Sequence, residues 1–348
     1  MARRTRPSDH PPRRIGLVLG AGGVVGASWL AGGLAALEAE TGWNPAGAER
    51  IVGTSAGSMI GSMLAAGSPP WRAAAADGPS DDRLADSARR PGGRDRSAGA
   101  GFSIHRGLPR IGPASPYMAV SALTRLSAQW PAQLMAGLMP EGIVSTDDVE
   151  RAVRGVVPSG WGGHPGLRVV ACDYENGDRV AFGDPDAPRA DVADAVAASC
   201  AIPSFYKPKT IDGRRYVDGV LYSASNLDLL EREGLDLIIC LNPTSSLHTA
   251  RTGSLQDLTA AVLRSYSGRR LGHEARRVRA AGTDVVLIQP TGDDLAVMPP
   301  NLMSRERRRE VYETAVETVG AQLREAGVDE RLAGAAKGLP PVRRAAPA

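Results

Sequence analysis

Cysteine, lysine, histidine and long apolar runs are all scarce in this chain, and each scarcity removes a class of explanation. The three cysteines, Cys172, Cys200 and Cys240, stand far apart without a Cys-x-x-Cys pair. An odd, scattered set is no disulfide framework; it points to reduced core thiols and a cytoplasmic setting, at most peripheral to a membrane. The five histidines show neither His-x-x-x-His nor His-Glu-x-x-His spacing, so no metal site is expected. No stretch reaches the ~20 apolar residues that span a bilayer. Lysine occurs only at Lys207, Lys209 and Lys337, and arginine carries the remaining positive charge.

What is present describes an ordinary globular protein. At 348 residues, 43% hydrophobic and 23% charged, the chain suits one large domain with a substantial core. Part of the net charge of +3 sits in "MARRTRPSDHPPRR", which has no apolar run behind it and is expected to be a solvated basic arm over 1–12. No nucleic-acid partner is expected from so mild a balance.

Ile15 to Leu19 form a short continuous apolar run, as buried parallel strands do. The glycine-rich turn "GAGGVVG" follows, then a helical pattern carrying Val25, Trp29, Leu30, Leu34 and Leu37. "ERIVGTS" reads as a second strand and "AGSMIGSMLAAG" as a second helix. This strand–helix alternation predicts a mostly parallel, helix-covered sheet.

The regular pattern lapses after Gly67. Residues 68–145 are expected to be a loop and helical insertion of cap or lid type, with a helical stripe from Met118 to Leu138 broken at Pro131. Beyond it come a helix capped at Ser145 or Thr146 and a hairpin turning at Asn176-Gly177. A second hairpin turns at Asp212-Gly213, and two more strands and a closing amphipathic helix follow. The tail over 331–348 is expected to be disordered.

"GTSAG", Gly53 to Gly57, has the Gly-x-Ser-x-Gly form of a strand-to-helix elbow. With glycine at 41 of 348 positions, about 0.3 such matches arise by accident, so the pentapeptide is weak alone. Its surroundings strengthen it. A helix tip offers Ser55 free backbone N–H groups and a favourable dipole, and Ala56 is one such donor. Gly20 to Gly26 end the preceding strand, so the N–H groups of Gly22, Gly23 and Val24 are delivered to the same sheet edge. A dinucleotide fingerprint would need glycine where Val25 stands, and a phosphate loop would need a Gly-Lys-Ser/Thr ending.

The base has several candidates. His248 and His273 are the late histidines that a Ser–Asp–His triad of an α/β-hydrolase would use. Asp212-Gly213 has the form of a turn pair, whereas Asp218-Gly219 ends the apolar strand "RRYVD". A carboxylate near its usual pKa of ~3.9 is a poor base and needs a desolvated site.

Four segments together resemble the bacterial patatin-like phospholipases, serine acyl hydrolases with a Ser–Asp dyad. They are "LVLGAGGVVGASWLAGGLAALE", "IVGTSAGSMIG", "VAASCAIPSFYKP" and "YVDGVLYSASNLDLL". The resemblance implies a three-layer α/β/α sandwich over 13–330, with Ser55 as nucleophile and Asp218 as base. Oxyanion donors are implied in the backbone of Gly22, Gly23, Val24 and Ala56. It further implies motif glycines at Gly20, Gly26, Gly53, Gly57 and Gly219, no cofactor, a lipid or acyl-ester substrate and transient contact with a membrane surface. The chain departs from the family pattern at Val25, where a basic residue is usual, at Trp29, where histidine is common, and at Val220. A non-catalytic lipid- or acyl-binding protein with the same fold is the alternative reading. The pattern assigns no acyl length, head group or oligomeric state.

Overall fold

The computed structural model describes residues 13–68, 71, 112–125, 129–247 and 255–333. The basic arm, much of the 68–145 insertion, His248 and nearly all of the tail lie outside them. The chain begins with β1 (Ile15–Leu19), α1 (Gly23–Thr41), β2 (Arg50–Thr54) and α2 (Ala56–Ala65). A helical pair follows, α3 (Pro116–Arg125) and α4 (Trp130–Leu138), then α5 (Asp147–Val156). Next come β3 (Leu167–Asp173), β4 (Arg179–Phe182), α6 (Val192–Ser199), β5 (Lys209–Ile211), β6 (Arg214–Asp218) and β7 (Leu237–Leu241). The order closes with α7 (Leu255–Ala280), β8 (Asp284–Ile288), α8 (Gly292–Val297), α9 (Arg308–Glu325) and α10 (Val328–Leu332).

The hydrogen-bonded path through the sheet is β5-β6-β3-β2-β1-β7-β8, with β4 paired to β3 beside it. β3, β2, β1, β7 and β8 run parallel, and the hairpin strands β4, β5 and β6 supply the antiparallel part. Side chains alternate across the pleat. Leu17, Leu19, Ile51 and Ile239 face α1, α2, α6 and α9 on one side. Val18, Val52, Ile238 and Cys240 face α7 on the other, where α3 and α4 also cover Cys172 and Val217. Two helical layers on a parallel sheet are the three-layer sandwich expected.

The register of β3 brings two distant parts of the chain together. Leu167–Val170 pair with β2, ending at Thr54 opposite Val170. Ala171–Asp173 pair with β6, ending at Asp218 opposite Ala171. Ala171 also faces Val180 of β4, so β6 must share the edge used by β2. β2 runs parallel to β3 and β6 antiparallel, so their C-terminal ends meet head to head beside Val170 and Ala171.

Two local expectations change. Pro131 does not break its helix: it sits in the first turn of α4, where a missing N–H costs nothing. At α5 the boundary residue is Thr146, but the Ser145 hydroxyl accepts the Asp147 N–H, at 3.1 Å.

Candidate functional site

β2 is held in the middle of the sheet until Thr54, and the chain then turns at once into α2. Ser55 makes this turn with φ 53° and ψ −120°, a conformation that costs a non-glycine residue free energy and survives only where its surroundings enforce it. An ordinary helix-capping serine spends its hydroxyl on N–H groups of the first turn. Ser55 does not: its side chain makes no capping bond.

The turn is enforced by contact. A Cβ at Gly57 would lie 1.9 Å from the Leu19 carbonyl oxygen, and one at Gly53 would lie 2.5 Å from the Ser58 Cα. The elbow therefore seats directly on the end of β1, beside the glycine-rich turn. Ser58 closes it by donating both its N–H, at 2.9 Å, and its hydroxyl, at 2.6 Å, to the Ser55 carbonyl.

Asp218 reaches the same point from β6. It is 1% exposed, and the Ser55 hydroxyl lies close enough to its carboxylate to favour the charged form. Burial pushes the carboxyl up from 3.8 to about 7, against the opposing pull of the Val220 N–H and the Ser55 hydroxyl. The Val220 N–H donates to Oδ1 at 2.9 Å. Gly219 permits the approach, since a Cβ there would lie 2.5 Å from the Val170 carbonyl oxygen. Asp212 has a different place. It occupies the β5–β6 turn with φ 47°, followed by Gly213 at φ 74°, as a type I′ hairpin requires.

The glycine-rich turn packs against Asn242 and Pro243 through Gly20, Gly22 and Gly26. Gly20 and Ala21 spend their N–H groups on Leu241 and Ala224, and Val25 and Gly26 spend theirs on Leu302 and Gly22. Those of Gly22, Gly23, Val24 and Ala56 find no acceptor among the described residues. No acidic side chain occupies the first turn of α1 or α2. Both helix N-termini therefore keep donors and dipole available for an anion. Val25 itself is buried, and Trp29 donates Nε1–H to the buried Asp294 at 3.1 Å.

Two residues beyond the predicted set hold this arrangement. Ser199, at the end of α6, accepts the Ser55 N–H at 2.8 Å and donates to the Val170 carbonyl at 2.6 Å. Asn226, at φ 53°, donates to the Thr54 hydroxyl at 3.0 Å and to the Ser223 carbonyl at 2.6 Å. The segments "VAASC" and "SASN" contained both, but no spacing rule reveals which main-chain group a hydroxyl or amide will reach.

The two described histidines do not join them. His273 is exposed on α7, and His164 is buried between the Ala48 carbonyl and the Gly166 N–H. A cleft of about 340 Å³ lined by Trp161, His164 and Leu167 opens at the N-terminal end of β3, away from the C-terminal ends that carry Ser55. Among the described residues no three His, Cys, Asp or Glu side chains gather as a metal site. All three cysteines are free and buried. Burial pushes the thiols of Cys172 and Cys200 up, with a further push from Asp218.

Among solved structures, the chain is similar to VipD from Legionella pneumophila, at 15% identity and a TM-score of 0.43, covering 90% of this chain and 67% of that one. The patatin-like phospholipase family profile matches residues 17–230. That span covers more than half of the chain and contains both Ser55 and Asp218: the chain belongs to the patatin-like phospholipase family.

Proposed function

We propose that Ser55 and Asp218 form a two-residue catalytic centre that cleaves carboxylic esters of lipids through an acyl-serine intermediate. Family membership carries lipid acyl hydrolysis as the general activity. The observation that supports this particular centre is the pairing of a strained, uncapped Ser55 with a buried Asp218 whose carboxyl titrates at about 7.

A carboxyl near neutral pH works in both directions. As carboxylate it takes the Ser55 proton while Oγ attacks the ester carbonyl. The N–H groups of Gly22, Gly23, Val24 and Ala56 receive the oxyanion, a job that uncommitted, pre-aimed donors perform without reorganising. The protonated Asp218 then passes its proton to the departing alcohol, leaving acyl-Ser55. Water attacks that ester as Asp218 takes its proton, and the return of this proton to Ser55 completes the cycle. Val25 is buried and uncharged, so the glycine-rich turn presents no side-chain cation to a phosphorylated head group. That favours a carboxylic ester hydrolase over an enzyme that selects its head group at this turn. The test is fatty-acid release by the purified chain from a short p-nitrophenyl ester, a monoacyl phospholipid and a diacyl phospholipid. Turnover of at least the short ester is expected, and none on any of the three would favour the acyl-binding alternative.

The helical pair α3–α4 supports contact with a lipid surface. Tyr117, Val120 and Leu123 on α3, and Met135, Leu138 and Met139 on and after α4, are all at least 41% exposed. The inward residues Met118 and Ala136 pack over Cys172 and Val217, with Leu221 and Tyr222 of the segment after Asp218 against the same cluster. An apolar outward face with a polar handle on tyrosine suits the acyl–headgroup boundary. No helix among the described residues is long and apolar enough to cross a membrane. Cosedimentation with phosphatidylcholine vesicles should fall several-fold in the double variant Val120→Glu, Met135→Glu. Equal sedimentation would remove this surface from the account.

A further inference from the structure

Three consecutive residues at the end of α6 grip both members of the Ser55–Asp218 pair. Ser199 takes the Ser55 N–H at 2.8 Å. Ala201 takes the Asp218 N–H at 3.0 Å through its carbonyl. Between them, the Cys200 side chain lies beside those of Ser55 and Ser58. All three are buried, Ser199 and Ala201 completely.

The Ser199 hydroxyl stands where the ladder of β2 fails. Thr54 is the last residue of β2 in register with β3, opposite Val170. At Ser55 the chain swings to φ 53°, and its N–H turns away from the strand partner. The hydroxyl fills the gap as a relay, accepting from Ser55 and donating to the Val170 carbonyl at 2.6 Å. Without it a buried donor and a buried acceptor would both lack partners, at a cost that only movement of the elbow could relieve. Such movement would carry Ser55 Oγ away from Asp218, which hangs from Ala201 two residues along.

We infer that Ser199 is a positioning residue: through the Ser55 main chain, its hydroxyl sets the alignment of the Ser55 Oγ with the Asp218 carboxylate. The inference rests on the Ser55–Asp218 reading given above. Ser199 touches no reacting atom, and its action is confined to orientation. Misplacement of a reacting group by about 1 Å costs on the order of 100-fold in rate, so the predicted effect falls on kcat and on acylation, with KM preserved.

Threonine and valine have the same shape and differ in the hydroxyl, so Ser199→Thr and Ser199→Val isolate it. The full-length variants would be compared by thermal melting, by kcat and KM on a short p-nitrophenyl ester, and by the rate of fluorophosphonate labelling per folded molecule. Ser199→Val is expected to fold and to lose about 10- to 100-fold in both kcat and labelling rate, with KM within about twofold. Ser199→Thr should stay within about threefold of the parent in both, the change that a small shift in hydroxyl placement would give. Equal rates in folded Thr and Val variants would overturn the inference. So would failure of the Val variant to fold while Thr folds, because the role would then be structural. Asp218→Asn measured alongside separates the two claims. If it retains activity, the dyad itself falls; if it is inactive while Ser199→Val matches Ser199→Thr, only the positioning role falls.

Discussion

Asp218→Asn is expected to abolish turnover of a short p-nitrophenyl ester, by about 1,000-fold or more, while the chain stays folded. General-base catalysis is worth roughly 100- to 10,000-fold, and in the proposed mechanism the same group serves both half-reactions. Asparagine keeps the shape and an acceptor for the Val220 N–H, now bonded to Oδ1 at 2.9 Å, but has no basicity. The stability of this variant follows from linkage. The folded carboxyl holds its proton up to about 7, whereas its ordinary value is 3.8. The native state therefore binds the proton more tightly than the unfolded chain, and Asp218 costs stability progressively as pH rises from about 4 to about 7. Asparagine lifts that cost, so at pH 8 the variant should melt no lower than the parent. In the parent, kcat/KM should rise with pH through an apparent pKa of about 7 as Asp218 becomes a carboxylate. Asp212→Asn, in the β5–β6 turn, should leave both rate and profile unchanged. Full activity in Asp218→Asn, or an inactive Asp212→Asn, would reverse the assignment of the base.

Gly57→Ala is expected to be among the most damaging single-methyl additions at the described glycines. Its Cβ would lie 1.9 Å from the Leu19 carbonyl oxygen, 2.4 Å from its carbon and 2.8 Å from the Gly20 carbonyl oxygen. These are backbone atoms at the centre of the sheet and cannot rotate aside. Overpacking of a core typically costs about 1–3 kcal/mol, and a clash with main chain belongs at the top of that range. Relief requires α2 to lift off the end of β1, and Ser55 lifts with it. The variant should melt far lower or fail to accumulate, and any folded fraction should be inactive. Gly272→Ala is the control, since its Cβ would meet only the Arg276 guanidinium, at 3.8 Å. In that helical position alanine should add about 0.5–1 kcal/mol. A Gly57→Ala protein with normal melting and normal kcat would contradict the contact on which the elbow rests.

Much of the fold is legible because parallel strands buried on both faces must be continuously apolar. "IGLVL" and "LIICL" announce themselves for that reason, and Asp212-Gly213 announces a turn because positive φ has few takers. The elbow is legible for a related reason: glycine recurs where main chains touch. Other parts depend on what lies across the sheet. The 19-residue α1 shows an apolar spacing but is buried on more than one side, because α9 presses against it as well as the sheet. A Cβ at Gly32 would lie 2.4 Å from the Tyr312 carbonyl oxygen. The short α8 had a readable signal in Thr291 and Asp294, which form a capping box, but only six residues follow from it. The joining of Ser55 to Asp218 was legible through resemblance. Its physical cause, the handover of one edge of β3 from β2 to β6, is a property of pairing over more than a hundred residues. Ser199 and Asn226 were hidden because their partners are main-chain and hydroxyl groups that no local pattern identifies.

The most direct test of the Ser55–Asp218 centre is peptide mapping, by mass spectrometry, of the full chain after treatment with a fluorophosphonate at pH 8. A single adduct on Ser55 is expected, formed in the parent and in His273→Ala and suppressed in Asp218→Asn. No adduct on Ser55, or one that forms equally fast without the Asp218 carboxylate, would contradict the account.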